Sequence, residues 1–104
     1  MLRVYRSLAG ESPTIGDFTS RKAQGHAQRL PFEKEKKWSG ISVYNNEAQC
    51  RKNANKYSFT GSIAEIEIEE DGSITYSRTG SNGHRTLWGE PAQMLNRVVR
   101  VIPF

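Results

Sequence analysis

The side chains able to do chemistry here are few and spread along the chain. His26 and His84 are its two histidines, and Cys50 is its one cysteine. One thiol cannot form an internal disulfide. No HExxH motif or His/Cys cluster has metal-ligand spacing, so no metal site is expected. Neither a Walker-type phosphate loop nor a GxGxxG turn is present. Cys50 lies between Ala48 and Ala54 with no histidine at a recognisable interval, which suits a small packing residue better than a nucleophile. The suggestive groups fall in four places. Arg6 ends the first apolar run, where a guanidinium can hold a phosphate through its planar fork of donors. Asp17 and Ser20 follow a Pro/Gly-rich loop and read most simply as caps, though both are also candidates to line a ligand site. Ser42 and Tyr44 sit in a strand that runs straight into a helix, a place where a hydroxyl can hold a ribose or an amide. His84, Arg85 and Glu90 come late. The imidazole can act as acid or base near neutral pH, and Arg85 can join Arg6 against a diphosphate.

Those residues need elements to hold them. Leu2, Val4 and Tyr5 predict a first strand, broken by Gly10, Pro13 and Gly16. Asp17 to Ser20 predicts caps for one or two helical turns within 21–29. Residues 31–39 read as an exposed polar loop around Trp38. Gly40 to Tyr44 predicts a second strand. Asn45 and Asn46 then cap a helix that runs to about Lys56, with Glu47 in its first turn and Cys50 and Ala54 as close-packing positions. Ile63 is followed by strict alternation, Ala64, Ile66 and Ile68 against Glu65, Glu67 and Glu69. That period of two predicts a strand with one face in the core and its glutamates in solvent. Asp71-Gly72 signals a tight turn into a strand around Ile74 and Tyr76. Thr86 to Trp88 predicts a short strand, Pro91 to Leu95 a helical turn, and Val98 to Ile102 a last strand. This order is not regular βα alternation. It predicts one domain over residues 1–104, of α+β class, with a small, mainly antiparallel split sheet and one main helix.

Arg6 after a short strand, Gly40-Ile41-Ser42-Val43-Tyr44 before a helix, and Ile63-Ala64-Glu65-Ile66-Glu67-Ile68 together resemble the layout of the ADP-ribosyltransferase superfamily. The resemblance implies a compact split-sheet fold that binds NAD. It implies that Arg6 contacts phosphate and ribose, and that Ser42 supports the nicotinamide pocket. The superfamily's catalytic glutamate has no secure match. Glu65 and Glu67 stand in an ExE spacing directly after the helix, whereas Glu90 is nearer the expected place in chain order, with His84 in the same neighbourhood. Relatives of that fold that transfer an RNA 2′-phosphate rely on arginine and histidine instead. The resemblance therefore implies catalytic roles for His84 and Glu90, and a dinucleotide site built from Arg6, Asp17, Ser20, Ser42, Tyr44 and Arg85. The Asp-Phe-x-Ser and Gly-His-x-Thr-x-Trp-Gly patterns are also similar to those of small bacterial proteins, which adds no function.

Composition bounds what remains. The chain has 104 residues, a formal net charge of +4 and 36% hydrophobic residues, ordinary globular material. No apolar run approaches the roughly 20 residues of a membrane span. Met1 to Arg6 runs straight into a charged, alternating stretch, so no signal peptide is expected and a cytoplasmic protein is the default. Residues 1–60 carry eleven Lys/Arg against five acids, whereas 61–104 carry four against six. A basic first half suits a polyanion. The alternative function is thus a non-catalytic module that binds nucleic acid or a protein through the basic face of residues 21–38. Glu33 and Glu35 interrupt that face.

Overall fold

The first strand, β1 (Leu2–Leu8), alternates as the sequence demands. Val4 and Leu8 are buried on one face, while Arg3, Tyr5 and Ser7 lie on the other. The computed structural model describes residues 2–20, 22–25, 39–56, 61–69, 73–78 and 83–103. A single turn of 3-10 helix (Ile15–Phe18) follows β1. Then come β2 (Ile41–Tyr44), helix α1 (Glu47–Lys56), β3 (Ser62–Ile68), β4 (Thr75–Arg78), β5 (His84–Trp88), the short helix α2 (Pro91–Leu95) and β6 (Val98–Pro103). The expected α+β class is what forms: six strands in one antiparallel sheet, ordered β4-β5-β2-β1-β3-β6, with one main helix.

Local signals explain most boundaries. Asn46 caps α1 through its Oδ1, which accepts from the Gln49 backbone N–H at 2.8 Å. Pro91 occupies the first turn of α2, where its missing N–H costs nothing. Asp17 caps the turn that contains it and not the segment after it. Its Oδ2 accepts from the Thr14 N–H (2.8 Å) and the Thr14 hydroxyl (3.0 Å). Ser20 does cap onward, accepting from the Ala23 N–H at 3.1 Å. The turn expected at Asp71-Gly72, the loop around Trp38 and, apart from Lys22 to Gly25, the basic face of residues 21–38 lie outside the described residues.

Register sorts the side chains. β1 pairs with β3 from Leu2↔Ile68 to Leu8↔Ser62, and Ala64, Ile66 and Ile68 share a face with Val4 and Leu8. That face joins Ile41, Val43, Ile74 and Leu87 in the main core, closed by Phe18 from the 3-10 turn and Met94 from α2. The opposite face carries α1, which contacts β1, β2 and β3. Cys50 and Ala54 are buried against it, as is Ile63. Helix α1 changes one expectation. Glu65 does not face solvent: it is 5% exposed, because the helix covers the face on which it lies. β3 is accordingly buried on both sides for most of its length.

Candidate functional site

Arg6 stands in β1 opposite Ala64, on the apolar face between Val4 and Leu8. Its cation is accommodated because the sheet forks beside it. The β1–β2 pairing is recorded at Tyr5↔Tyr44, and next to that pair the Arg6 guanidinium takes over. Nη1 donates to the Ser42 carbonyl at 2.6 Å, and Nε donates to the Asp17 carbonyl at 2.5 Å. Charge-assisted bonds of this kind are stronger than amide–amide ones. One side chain thus ties the 3-10 turn to β2 across the fork. Burial pulls the Arg6 pKa down from the ordinary arginine value, and the nearby Asp17 charge opposes the shift. An arginine so placed stays protonated.

The fork opens a cavity of about 230 Å³ whose wall includes Arg6, Asp17, Ser42, Tyr44 and Asn53. Nη2 of Arg6 makes no hydrogen bond among the described residues, so the cation keeps donors for a ligand. The Asp17 carboxylate is committed. Beyond its two bonds from Thr14, its Oδ1 accepts from the Ala9 N–H at 3.2 Å. Asn53 comes from α1 and supplies an amide.

The other candidates lie at varying removes from this cavity. His84 pairs with Tyr44 across β2 and β5, and its ring meets the Tyr44 ring edge-on at 5.3 Å and 81°. It backs a wall residue and is not part of the wall. Ser20 lines a different, 60 Å³ space beside Phe18, Gly40, Leu87 and Trp88. Arg85 belongs to the opposite sheet face from His84, where its Nε donates to the Tyr76 hydroxyl at 2.9 Å. Glu90 is exposed just before α2 and makes no side-chain cap. The structure therefore gathers Arg6, Asp17, Ser42 and Tyr44 in one place, with His84 behind them. Ser20, Arg85 and Glu90 are outside the wall. Among the described residues, no group of three His, Cys, Asp or Glu side chains could hold a metal ion.

A second polar cluster was hidden by the alternation of β3. Glu65 Oε1 accepts from the Tyr5 hydroxyl at 2.9 Å, and Oε2 accepts from Arg100 Nε at 3.1 Å. Arg3 stands 3.5 Å from the same carboxylate and holds Glu67 at 2.7 Å. Burial, then the Glu65 hydrogen bond, push the Tyr5 hydroxyl above its usual pKa. The available signal was the pair of small residues Cys50 and Ala54, which need a surface to pack on. Cys50 is fully buried, 3.7 Å from the Ser7 hydroxyl, and burial pushes its thiol pKa up. That environment suits packing and not nucleophilic attack.

Among the described residues, no helix is long and apolar enough to cross a membrane. Compared with known proteins, the chain matches no family model, no curated protein and no solved structure.

Proposed function

We propose that this chain is a small ADP-ribosyltransferase-like protein that binds NAD or ADP-ribose at the β1–β2 fork. The observation that carries the reading is Arg6: a half-buried cation at a break in the sheet, with unused donors beside a cavity walled by Ser42, Tyr44 and Asn53. A phosphate or a ribose hydroxyl would meet Arg6, and the Tyr44 ring offers an aromatic surface held by His84. At about 230 Å³ the cavity takes one part of a dinucleotide, so the rest would lie along the surface.

Binding is favoured over transfer. Displacing nicotinamide from NAD passes through an oxocarbenium-like state that needs fixed negative charge nearby. Asp17 is the one carboxylate in the cavity wall among the described residues, and Thr14 and Ala9 already hold it. In this reading His84 steadies Tyr44, and Glu90 would need to be carried to the site for transfer to occur. The reading takes the cytoplasm as the compartment. Were transfer to occur, a protein or a nucleic acid would be the acceptor.

The test is a two-dimensional NMR titration with NAD and with ADP-ribose. Saturable shifts at Arg6, Ser42, Tyr44 and Asn53 are expected. Asn53→Ala, which leaves the Arg6 bonds intact, should weaken binding at least threefold. No shift at millimolar ligand with a folded protein would defeat the proposal. Release of nicotinamide on prolonged incubation would overturn the preference for binding without turnover.

A further inference from the structure

The β4–β5 ladder places Arg78 directly opposite Arg85. Directly opposed residues of an antiparallel pair share a face with Cβ atoms about 4.5–5.5 Å apart, and like charges there destabilise the pairing. Neither arginine is paired with a carboxylate among the described residues. Arg85 gives Nε to the Tyr76 hydroxyl and Nη1 to the His84 carbonyl, both at 2.9 Å, and lies 6.0 Å from the Tyr76 ring centre. Arg78 is exposed at the end of its strand. The connection that follows, residues 79–82, is Thr-Gly-Ser-Asn and brings no acid to the pair.

Two like-charged residues thus stand opposite each other on adjacent strands, one of them already oriented by a tyrosine, with its Nη2 left to meet a ligand. Such an arrangement costs stability in the free protein and is relieved by an anion between the two forks. We propose that Arg78 and Arg85 form an anion site for a terminal phosphate group, separate from the cavity at the β1–β2 fork. Two guanidinium groups match the two charges and several oxygens of a phosphate monoester, whereas a diester offers one charge. Fixing Arg85 against Tyr76 reduces the ordering cost of binding.

The experiment titrates the full-length chain with inorganic phosphate at about pH 8, where the ion carries close to two charges. Dimethyl phosphate and sodium chloride at equal ionic strength are run in parallel, all followed by NMR. Saturable shifts at the Arg78 and Arg85 backbone and Nε–H signals are expected with phosphate, at least fivefold tighter than with dimethyl phosphate. Arg78→Gln should weaken phosphate binding at least tenfold. In low-salt buffer without phosphate it should also raise the melting temperature, because the repulsion is gone. The dinucleotide titration reads Arg6, Ser42, Tyr44 and Asn53 whereas this one reads Arg78 and Arg85, so failure at the fork and failure here are told apart. Shifts that merely follow ionic strength, equal or tighter binding of dimethyl phosphate, or unchanged affinity in both Arg78→Gln and Arg85→Gln would overturn the assignment.

Discussion

Tyr5 and Arg6 are neighbours in β1 that point to opposite faces of the sheet, and each solves a burial problem. Arg6 is a cation beside apolar residues, made tolerable by two backbone carbonyls that face it at the fork. Tyr5 instead meets a carboxylate, Glu65, that would otherwise be buried with fewer donors. Removing one partner of such a pair exposes the other to the cost of an unmet hydrogen bond. Tyr5→Phe is therefore expected to cost about 1–2 kcal/mol near neutral pH. The pH dependence has a definite sign. The folded-state pKa of Tyr5 is raised above the usual value of 10.0, so its contribution is full below that pH and is lost as pH rises through the shifted value. The stability gap between wild type and Tyr5→Phe, measured by urea unfolding, should hold up to about pH 10 and narrow as the pH rises above it. A gap that stays constant or widens would contradict the role given to this hydroxyl.

Elements rather than single residues decide which groups meet. Helix α1 sets the burial of Glu65, carries Asn53 to the fork and buries Cys50. Its start depends on Asn46, whose side chain satisfies the Gln49 N–H. Asn46→Ala should cost about 1 kcal/mol, which for a chain of this length lowers the melting temperature by about 4–8 °C. Calorimetry checks the size, and an unchanged melting temperature would mean that packing alone holds the helix. A tighter constraint sits at Gly61, between α1 and β3. A Cβ built there would meet the Leu8 carbonyl oxygen at 2.1 Å, far inside contact distance. Any side chain at this position has to push β1 and β3 apart.

The whole molecule is a sheet with unequal seams. β1 and β3 pair along seven registered positions at the centre, whereas β1 and β2 are registered at the single Tyr5↔Tyr44 pair. The edges are β4, which carries Arg78, and β6, which shifts register opposite Glu65 and Ile66 and leaves Val99 51% exposed. Such a bulge blunts an edge against pairing with another chain. Amide exchange should follow the same ranking. The β1 and β3 amides should exchange slowest, those of β4 fastest among the strands, and those of β2 beside the fork at intermediate rates. Hydrogen–deuterium exchange read by NMR checks the ranking. β2 protected as strongly as β3 would mean that the fork is closed by more than Arg6.

Periodicity and caps were enough to place β1, β2, α1, β3, α2 and β6, since each depends on neighbours within a few residues. Ala64 to Ile68 alternates wherever it is put, Asn46 caps whatever helix follows it, and Pro91 opens a turn on its own account. The types of Arg6, Ser42 and Tyr44 were visible in the same way, because a guanidinium or a phenol carries its chemistry with it. Their meeting was not visible. Whether Arg6 binds a ligand or a carbonyl, whether Glu65 sees water or Tyr5, and whether Arg78 falls opposite Arg85 all depend on strand order and register. Those are set by contacts between segments tens of residues apart. A strand pattern says that one face is buried; only the packed molecule says that α1 buries the other face too, and that the sheet opens at the residue where a cation has to fit.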